Sequence, residues 1–331
     1  MRIAVTGGTG YLGAHTVRAL LTAGHKVRLL VAPGEDCHEL LRRLEEGGDI
    51  TAIEGDVRDS RCVDALLIGS DALFHAAGVV GTDNRRTKLM WDVNAYATEA
   101  ILNRAVRFDL DPIVLVSSYS ALFQPPVAVI GPDTPTASGR SPYAQTKAYA
   151  DRVARRLQRD GASVVVTYPS SVVGPAFCTA PGVTESGWGP IVRAGIAPRL
   201  RGGMQMVDVR DVAEVHCRVM QPGRGPRRYV CGGRMIAFDD MISALERGTG
   251  RRFRRLPCSP SMFRGIGWVC DVAGRIVPLG AGLSYEAALL LTAATPTDDS
   301  STRAELGVRW RSPEESIVES FRRAGTDAGD Q

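Results

Sequence analysis

Val5-Thr6-Gly7-Gly8-Thr9-Gly10-Tyr11-Leu12-Gly13 stands between a β-branched run, Arg2–Thr6, and an apolar-periodic segment, Tyr11–Ala23, closed by Gly24. A strand, a glycine-rich turn and a helix in that order make a binding site for a pyrophosphate. Glycines let the backbone bend sharply and approach the anion, while the helix N-terminus offers free N–H groups and the positive end of its dipole. Two dinucleotide spacings are satisfied at once. Gly8, Gly10 and Gly13 read as GxGxxG, and Gly7, Gly10 and Gly13 as GxxGxxG.

Outward from this turn the alternation continues. Strands are expected at Lys26–Val31, Ile50–Glu54, Ala72–His75, Ile113–Val116 and Ser163–Thr167. Helices are expected at Glu35–Glu46, Asp59–Ile68, Lys88–Phe108 and Ser141–Asp160. That order predicts an α/β fold, a doubly wound parallel sheet covered on both faces. After Pro169 glycine and proline become frequent, between Gly174 and Gly203 and again between Pro222 and Gly233. Residues 1–174 therefore read as a dinucleotide-binding domain, and 175–331 as a smaller, irregular C-terminal substrate lobe. Segments about 204–231 are expected to return to the main sheet through strands at Met204–Val207 and Arg228–Cys231, with a helix at Val209–Gln221. Gly325–Gln331 reads as a frayed end.

Composition narrows the class. The 331 residues are 44% hydrophobic and 23% charged, with a net charge of +4 and both signs interspersed. Such a chain can build a large core and gives no indication of a nucleic-acid partner. The basic run Arg251-Arg252-Phe253-Arg254-Arg255 is short and reads first as solvated surface and second as an anion or partner site. Seven cysteines without a CxxC pair and five histidines without HxxxH or HExxH spacing argue against a metal enzyme. Met1-Arg2-Ile3 opens no signal peptide, so a cytoplasmic location is expected. The late apolar stretches Ile266–Leu279 and Ala287–Ala294 are short or interrupted. They fall below the roughly 18 to 20 residues of a membrane span. No integral membrane segment is expected; these stretches read first as amphipathic helices lining a pocket and second as a membrane-surface contact.

A second constellation carries the chemistry. Tyr143-Ala144-Gln145-Thr146-Lys147 puts a phenol and an ammonium on one face of a helix, about one turn apart. A nearby ammonium favours the phenolate and would lower the tyrosine pKa from about 10. Tyr143 then becomes a general acid for a carbonyl oxygen, or a base in the reverse direction. Ser117-Ser118 lies upstream at the carboxyl end of the fifth strand, the edge where open α/β sheets bind ligands.

These motifs, in this order, resemble the extended short-chain dehydrogenase/reductase superfamily (NAD-dependent epimerase/dehydratase type). Within it the chain is similar to the dihydroflavonol-reductase and 3β-hydroxysteroid-dehydrogenase-like branch. The resemblance rests on Thr6–Gly13, Gly55-Asp56-Val57-Arg58-Asp59, His75-Ala76-Ala77-Gly78, Asn94, Val116-Ser117-Ser118 and Tyr143–Lys147. Pro169-Ser170-Ser171-Val172-Val173-Gly174-Pro175 and Val207-Asp208-Val209-Arg210-Asp211-Val212-Ala213 complete it. It implies a Rossmann-type fold and a set of roles. Gly7, Gly10, Tyr11, Leu12 and Gly13 would receive the pyrophosphate. Asp56 would bond the adenine amino group and Val57 would present backbone to the ring, with Ala76 and Ala77 beside the adenosine ribose. Lys147 would reach the nicotinamide ribose, and Pro169, Ser170 and Val172 would hold the carboxamide. Ser118, Tyr143 and Lys147 would be the catalytic residues, with Ser118 on the substrate oxygen. Asn94 reads as an amide bonding main chain. A homodimer through Lys88–Phe108 and Ser141–Asp160 is implied as well.

The chain departs from the pattern in two places. At the end of the second strand an acid favours NAD and a nearby arginine favours NADP. Here stand Val31 and Ala32. The missing acid tilts the reading to NADP and the missing arginine pulls it back, so NAD or NADP stays open. Glu35 with Asp36, or Arg42 with Arg43, could substitute. After Ser118 come Tyr119-Ser120, where sugar-nucleotide dehydratases carry Asp-Glu, so elimination of water is disfavoured. A reductase or dehydrogenase acting on a small apolar or aromatic carbonyl or secondary alcohol is expected. Met262–Leu279 and Ser284–Thr295 would wall the substrate, and the loop Val79–Met90 and turn Phe123–Pro126 would border it. A nucleotide-sugar epimerase with retained NAD is the alternative, for which Arg193, Arg199 and Arg201 are the available cations near the cleft. A non-catalytic cofactor-sensing protein is a lesser one, because such proteins typically lose the tyrosine or lysine. Leu306-Gly307-Val308-Arg309-Trp310 reads as packing.

Overall fold

The computed structural model describes residues 1–81, 84–273 and 284–327. Its strands are β1 (Arg2–Thr6), β2 (Lys26–Val31), β3 (Ile50–Glu54), β4 (Ala72–His75), β5 (Ile113–Val116) and β6 (Val164–Pro169). They continue as β7 (Ser171–Val173), β8 (Ile196–Arg199), β9 (Gly203–Asp208), β10 (Arg227–Cys231), β11 (Arg234–Ala237) and β12 (Arg254–Pro257). Seven of them form one sheet in the order β10-β6-β5-β4-β1-β2-β3, every pair parallel.

Alternate residues of a strand point to opposite faces, and a sheet covered on both sides needs apolar residues at every position. Ile3 and Val5 enter one core while Ala4 enters the other; Val114 and Val116 part from Ile113 and Leu115 in the same way. The first core is closed by helices Tyr11–Thr22, His38–Glu45 and Val209–Val219, the second by Ser60–Leu67, Thr98–Arg107 and Pro142–Arg159. A third core, around Trp188, Phe238, Met241, Leu245, Phe253 and Ile317, belongs to the C-terminal lobe.

Three expectations change. The helix foreseen from Glu35 begins at His38, because Glu35 N–H still bonds back to the Ala32 carbonyl at 3.1 Å and holds the chain in the turn. The long helix foreseen over 88–108 is interrupted by a π-helical segment, Trp91–Ala97, between α-helical Thr87–Met90 and Thr98–Arg107. Of the two strands expected to rejoin the main sheet, only the one at β10 does so. Met204–Val207 lies in β9, the centre of a separate three-stranded sheet, parallel to β7 and antiparallel to β11. Its Met206 packs with Val173, Ile236 and Phe238 in the lobe core, which draws the strand away. Among the described residues no helix is long and apolar enough to cross a membrane. The end segment Gly325–Gln331 lies in part outside the described residues.

Candidate active site

β1 and β4 are neighbours in the sheet but not in the chain, so the winding reverses between them, which is where this architecture binds ligands. A cavity of about 850 Å³ opens there, at the carboxyl ends of the strands. The glycine turn forms its floor and is too tight for side chains. Gly7 has φ +72° and a Cβ on it would lie 2.4 Å from Ala77 N; a Cβ on Gly13 would lie 1.9 Å from the Gly7 carbonyl oxygen. Every residue to which the resemblance gives a cofactor-binding or catalytic role lines this one cavity. Gly7, Gly10, Tyr11, Leu12 and Gly13 come from the turn, Ala32 from the end of β2, and Asp56 and Val57 from the end of β3. Ala76 and Ala77 follow β4, Pro169, Ser170 and Val172 follow or end β6, and Ser118, Tyr143 and Lys147 close the far side.

Several side chains hold this frame. The Asp56 carboxylate accepts from Arg58 N–H at 2.8 Å and from its Nε at 3.0 Å, and the guanidinium keeps the carboxyl below its ordinary range. His75, fully buried, sits between Thr6 Oγ1 at 2.6 Å and Thr98 Oγ1 at 2.9 Å. Burial pushes its pKa down to about 3, so the ring is neutral. Asn94, in the π-helical segment, takes both backbone groups of Val79: Oδ1 accepts from Val79 N at 2.7 Å and Nδ2 donates to Val79 O at 3.0 Å. The expected main-chain bonding is what is found, and it ties the loop after β4 to Thr146 on the helix of Tyr143.

Ser118 follows β5 and caps a short 3-10 turn, Tyr119–Ala121, with Oγ accepting from Ser120 N at 3.1 Å. Its side chain neighbours Tyr143 in the same cavity and works to lower the tyrosine pKa. Tyr143 stands in the first turn of Pro142–Arg159, whose N-terminus is capped by Ser141 Oγ accepting from Ala144 N at 3.1 Å. The lowered tyrosine pKa expected from Lys147 is not found. Burial pushes Tyr143 up to about 12, against the effect of Ser118, and the Glu286 charge adds to the rise. The ammonium of Lys147 is turned elsewhere, donating to the Val116 carbonyl at 3.0 Å, and burial brings its own pKa down to about 8. Desolvation outweighs the pairwise attraction that the spacing alone suggests.

Two residues were invisible to motif reading. Tyr11 hydroxyl donates to Gly174 O at 2.7 Å and to Glu185 Oε1 at 3.2 Å, and Gly174 N donates to the same Oε1 at 2.8 Å. Glu185 is buried, and desolvation raises its carboxyl to about 7. Glu286 reaches Ser141 at the start of the helix bearing Tyr143. Neither had a sequence signal, since their partners lie far away in the chain.

The substrate wall also differs from expectation. None of the described residues in 262–295 lines the cavity. Met262, Ile266, Trp268, Val269 and Val272 are exposed instead, because Phe263 and Gly267 occupy the inward side of their helix. Residues 274–283 of the expected wall lie outside the described residues. Apolar lining comes from Val79, Val80, Leu89, Val93 and Val183. The loop 79–90 thus borders the cavity, with Asp83 outside the described residues, while 123–126 does not line it. Arg193, Arg199 and Arg201 do not line it either. Glu35 does, whereas Arg42 and Arg43 are engaged with Glu39 and Glu46. Leu306 and Val308 are buried and Trp310 Nε1 donates to Asp299 at 2.7 Å, a packing role.

The profile of the NAD dependent epimerase/dehydratase family matches residues 3–232. The chain is 28% identical over 313 residues to sterol demethylase protein B of Methylococcus capsulatus, covering 93% of each. It is 28% identical to a putative dihydroflavonol 4-reductase of Synechocystis sp. over 264 residues, 74% of this chain and 72% of the relative. Among solved structures, UDP-glucose 4-epimerase from Bifidobacterium longum in complex with NAD+ and UDP superimposes with a TM-score of 0.77. That likeness spans 100% of this chain and 99% of the other at 19% identity, and it shows the shared fold.

Proposed function

The chain belongs to the NAD-dependent epimerase/dehydratase family, and on that premise we propose that it is an oxidoreductase acting on a carbonyl or secondary alcohol of a small apolar or aromatic compound. The observation that carries this reading is that Ser118, Tyr143 and Lys147 line the same cavity as the glycine turn. The tight cradle at Gly7 and Gly13 suits a pyrophosphate, and the cavity is large enough to continue to Tyr143. A nicotinamide dinucleotide bound there supplies or accepts the hydride.

With its pKa raised to about 12, Tyr143 keeps its proton at neutral pH and can give it to the oxygen of a carbonyl being reduced. Ser118 donates to the same oxygen and stabilises the charge developing on it. Lys147, held by the Val116 carbonyl beside Tyr143 in the cavity lining, would reach the nicotinamide ribose. Val79, Val80, Leu89, Val93 and Val183 favour an apolar substrate. The absence of Arg193, Arg199 and Arg201 from the lining weighs against a sugar diphosphate. Glu35 at the mouth beside β2 would repel a 2′-phosphate, and Arg42 and Arg43 are occupied, so NAD is preferred over NADP. The rings of Trp91, Tyr96 and Tyr149, 5.8 to 6.0 Å apart on the two long helices, support a homodimer through that face.

The test is turnover of a panel of aldehydes, ketones and alcohols with NADH/NAD and NADPH/NADP in parallel, read by nicotinamide absorbance. Net oxidation or reduction with NADH or NAD is expected. Tyr143→Phe should lose about 10²- to 10⁴-fold in kcat while still binding dinucleotide. Undiminished turnover in that variant refutes the assignment. Silence across the panel, with dinucleotide held tightly by the purified protein, replaces it with epimerisation.

A further inference from the structure

The helix Pro260–Ala273 is built inside out. At about 100° per residue, Met262, Ile266, Trp268, Val269 and Val272 fall on one broad arc. That arc is the one facing solvent: Trp268 is 59% exposed, Val269 56% and Met262 51%. The charged residues Arg264 and Asp271 sit on the opposite, half-buried side, where Asp271 Oδ2 accepts from Tyr285 N at 3.0 Å. The inner face is anchored by Phe263 in the lobe core and by Gly267, on which a Cβ would lie 2.6 Å from the Ser284 carbonyl oxygen. The helix therefore cannot roll over to hide its apolar arc.

Cations stand at the entrance to this helix. The ribbon β8–β12 leads into it, with Arg254 paired to Ile196 and Pro257 to Arg199 in register, and Cys258 N bonding Arg199 O at 3.1 Å. Arg199, Arg252 and Arg254 are exposed and no ion pair is found for them among the described residues, whereas Arg255 is matched to Asp239 and Glu246. Leu256 and Ile196, on the same ribbon, are exposed as well.

We infer that this face docks on the surface of an anionic lipid bilayer, with the apolar arc of Pro260–Ala273 in the headgroup–acyl boundary and Arg199, Arg252 and Arg254 on the lipid phosphates. An apolar face rimmed by unmatched arginines and carrying a tryptophan is complementary to such a surface. A second copy of the chain would bring the same arginines face to face. Fourteen residues of helix span about 21 Å, short of the roughly 30 Å of hydrocarbon, so the helix lies on the bilayer. The inference is independent of the proposed reaction, because it is read from binding alone.

The experiment is co-sedimentation of the full chain with phosphatidylcholine vesicles, with and without phosphatidylglycerol, at low and high salt. Binding to the phosphatidylglycerol vesicles is expected to exceed binding to pure phosphatidylcholine by about tenfold or more, and to weaken with salt. Arg252→Glu/Arg254→Glu should reduce it about tenfold, and Ile266→Ser/Val269→Ser should remove it. Both pairs are exposed, and an unchanged circular dichroism spectrum confirms the fold. Indole emission should shift to the blue on binding, and Trp268→Phe should abolish that shift. No association with phosphatidylglycerol vesicles, or association undiminished in Ile266→Ser/Val269→Ser, overturns the inference. So does a concentration-dependent dimer in sedimentation velocity that the same variant dissociates.

Discussion

Lys147→Met should make the protein's stability less dependent on pH between 8 and 10.5. The ammonium is buried with a backbone carbonyl, Val116 O, as its hydrogen-bond acceptor, and its pKa falls from 10.5 to about 8. Below pH 8 the folded protein carries a charge that the unfolded chain hydrates better. At about 1.36 kcal/mol per unit, that costs on the order of 3 kcal/mol at pH 7. Between pH 8 and 10.5 the unfolded state binds more protons than the folded one, so the wild-type protein gains stability as pH rises. Methionine has nearly the same shape and no charge. Its penalty for leaving Val116 O without a donor does not change with pH and cancels when pH values are compared. The stability of Lys147→Met minus that of wild type should therefore shrink by about 2 to 3 kcal/mol from pH 7 to pH 10. Urea unfolding followed by circular dichroism at pH 7, 8.5 and 10 measures it. A difference that stays constant across that range would show that the ammonium is not desolvated as the structure has it, and the account of Tyr143 would fall with it.

Glu185→Gln should behave in the opposite sense. The carboxyl is raised from 4.5 to about 7, so its cost is absent below 4.5, grows as pH rises from 4.5 to 7 and is complete above 7. The variant should gain about 2 to 3 kcal/mol relative to wild type between pH 5 and pH 8, measured by urea unfolding; no change with pH would refute the burial argument. Gly13→Ala places a methyl against the Gly7 carbonyl, a backbone atom with nowhere to go. It should destabilise by about 1 to 3 kcal/mol and weaken dinucleotide binding in calorimetry, and wild-type affinity would refute the tight-turn reading.

The parts of the fold that could be read from sequence are those whose environment is symmetric. β1, β4 and β5 are buried on both faces, so Ile3–Val5, Ala72–Phe74 and Ile113–Val116 are unbroken apolar runs. The site was legible for a related reason: its residues come in short motifs at strand ends, and the parallel sheet brings those ends together. What was not legible depended on orientation or on distant partners. The spacing of Met262, Ile266 and Val269 reveals an apolar arc but not which side of the helix meets the core. β9 carries the pattern of a sheet strand whichever sheet receives it, and the side-chain company of Met206 decides. Tyr11 and Glu185 meet across 174 positions, and nothing local marks Glu185. The direction of the Tyr143 shift was misjudged because spacing reports the neighbouring charge and not the water that both groups lose.

The π-helical segment Trp91–Ala97 is equivalent to one extra residue wound into an α-helix. It is what turns the Asn94 amide onto both polar groups of Val79. Loss of a single codon in that segment would remove the extra residue and restore ordinary winding, leaving the flanking helices in phase while turning the side chains inside the segment. The helix would survive and the hydrophobic core behind Ile101 and Leu102 would keep its register, yet the loop after β4 would come free of its clamp. One deletion, silent for folding, thus separates an ordered rim of this cavity from a loose one, and descendants of this chain could lose or retune the site without passing through an unfolded ancestor.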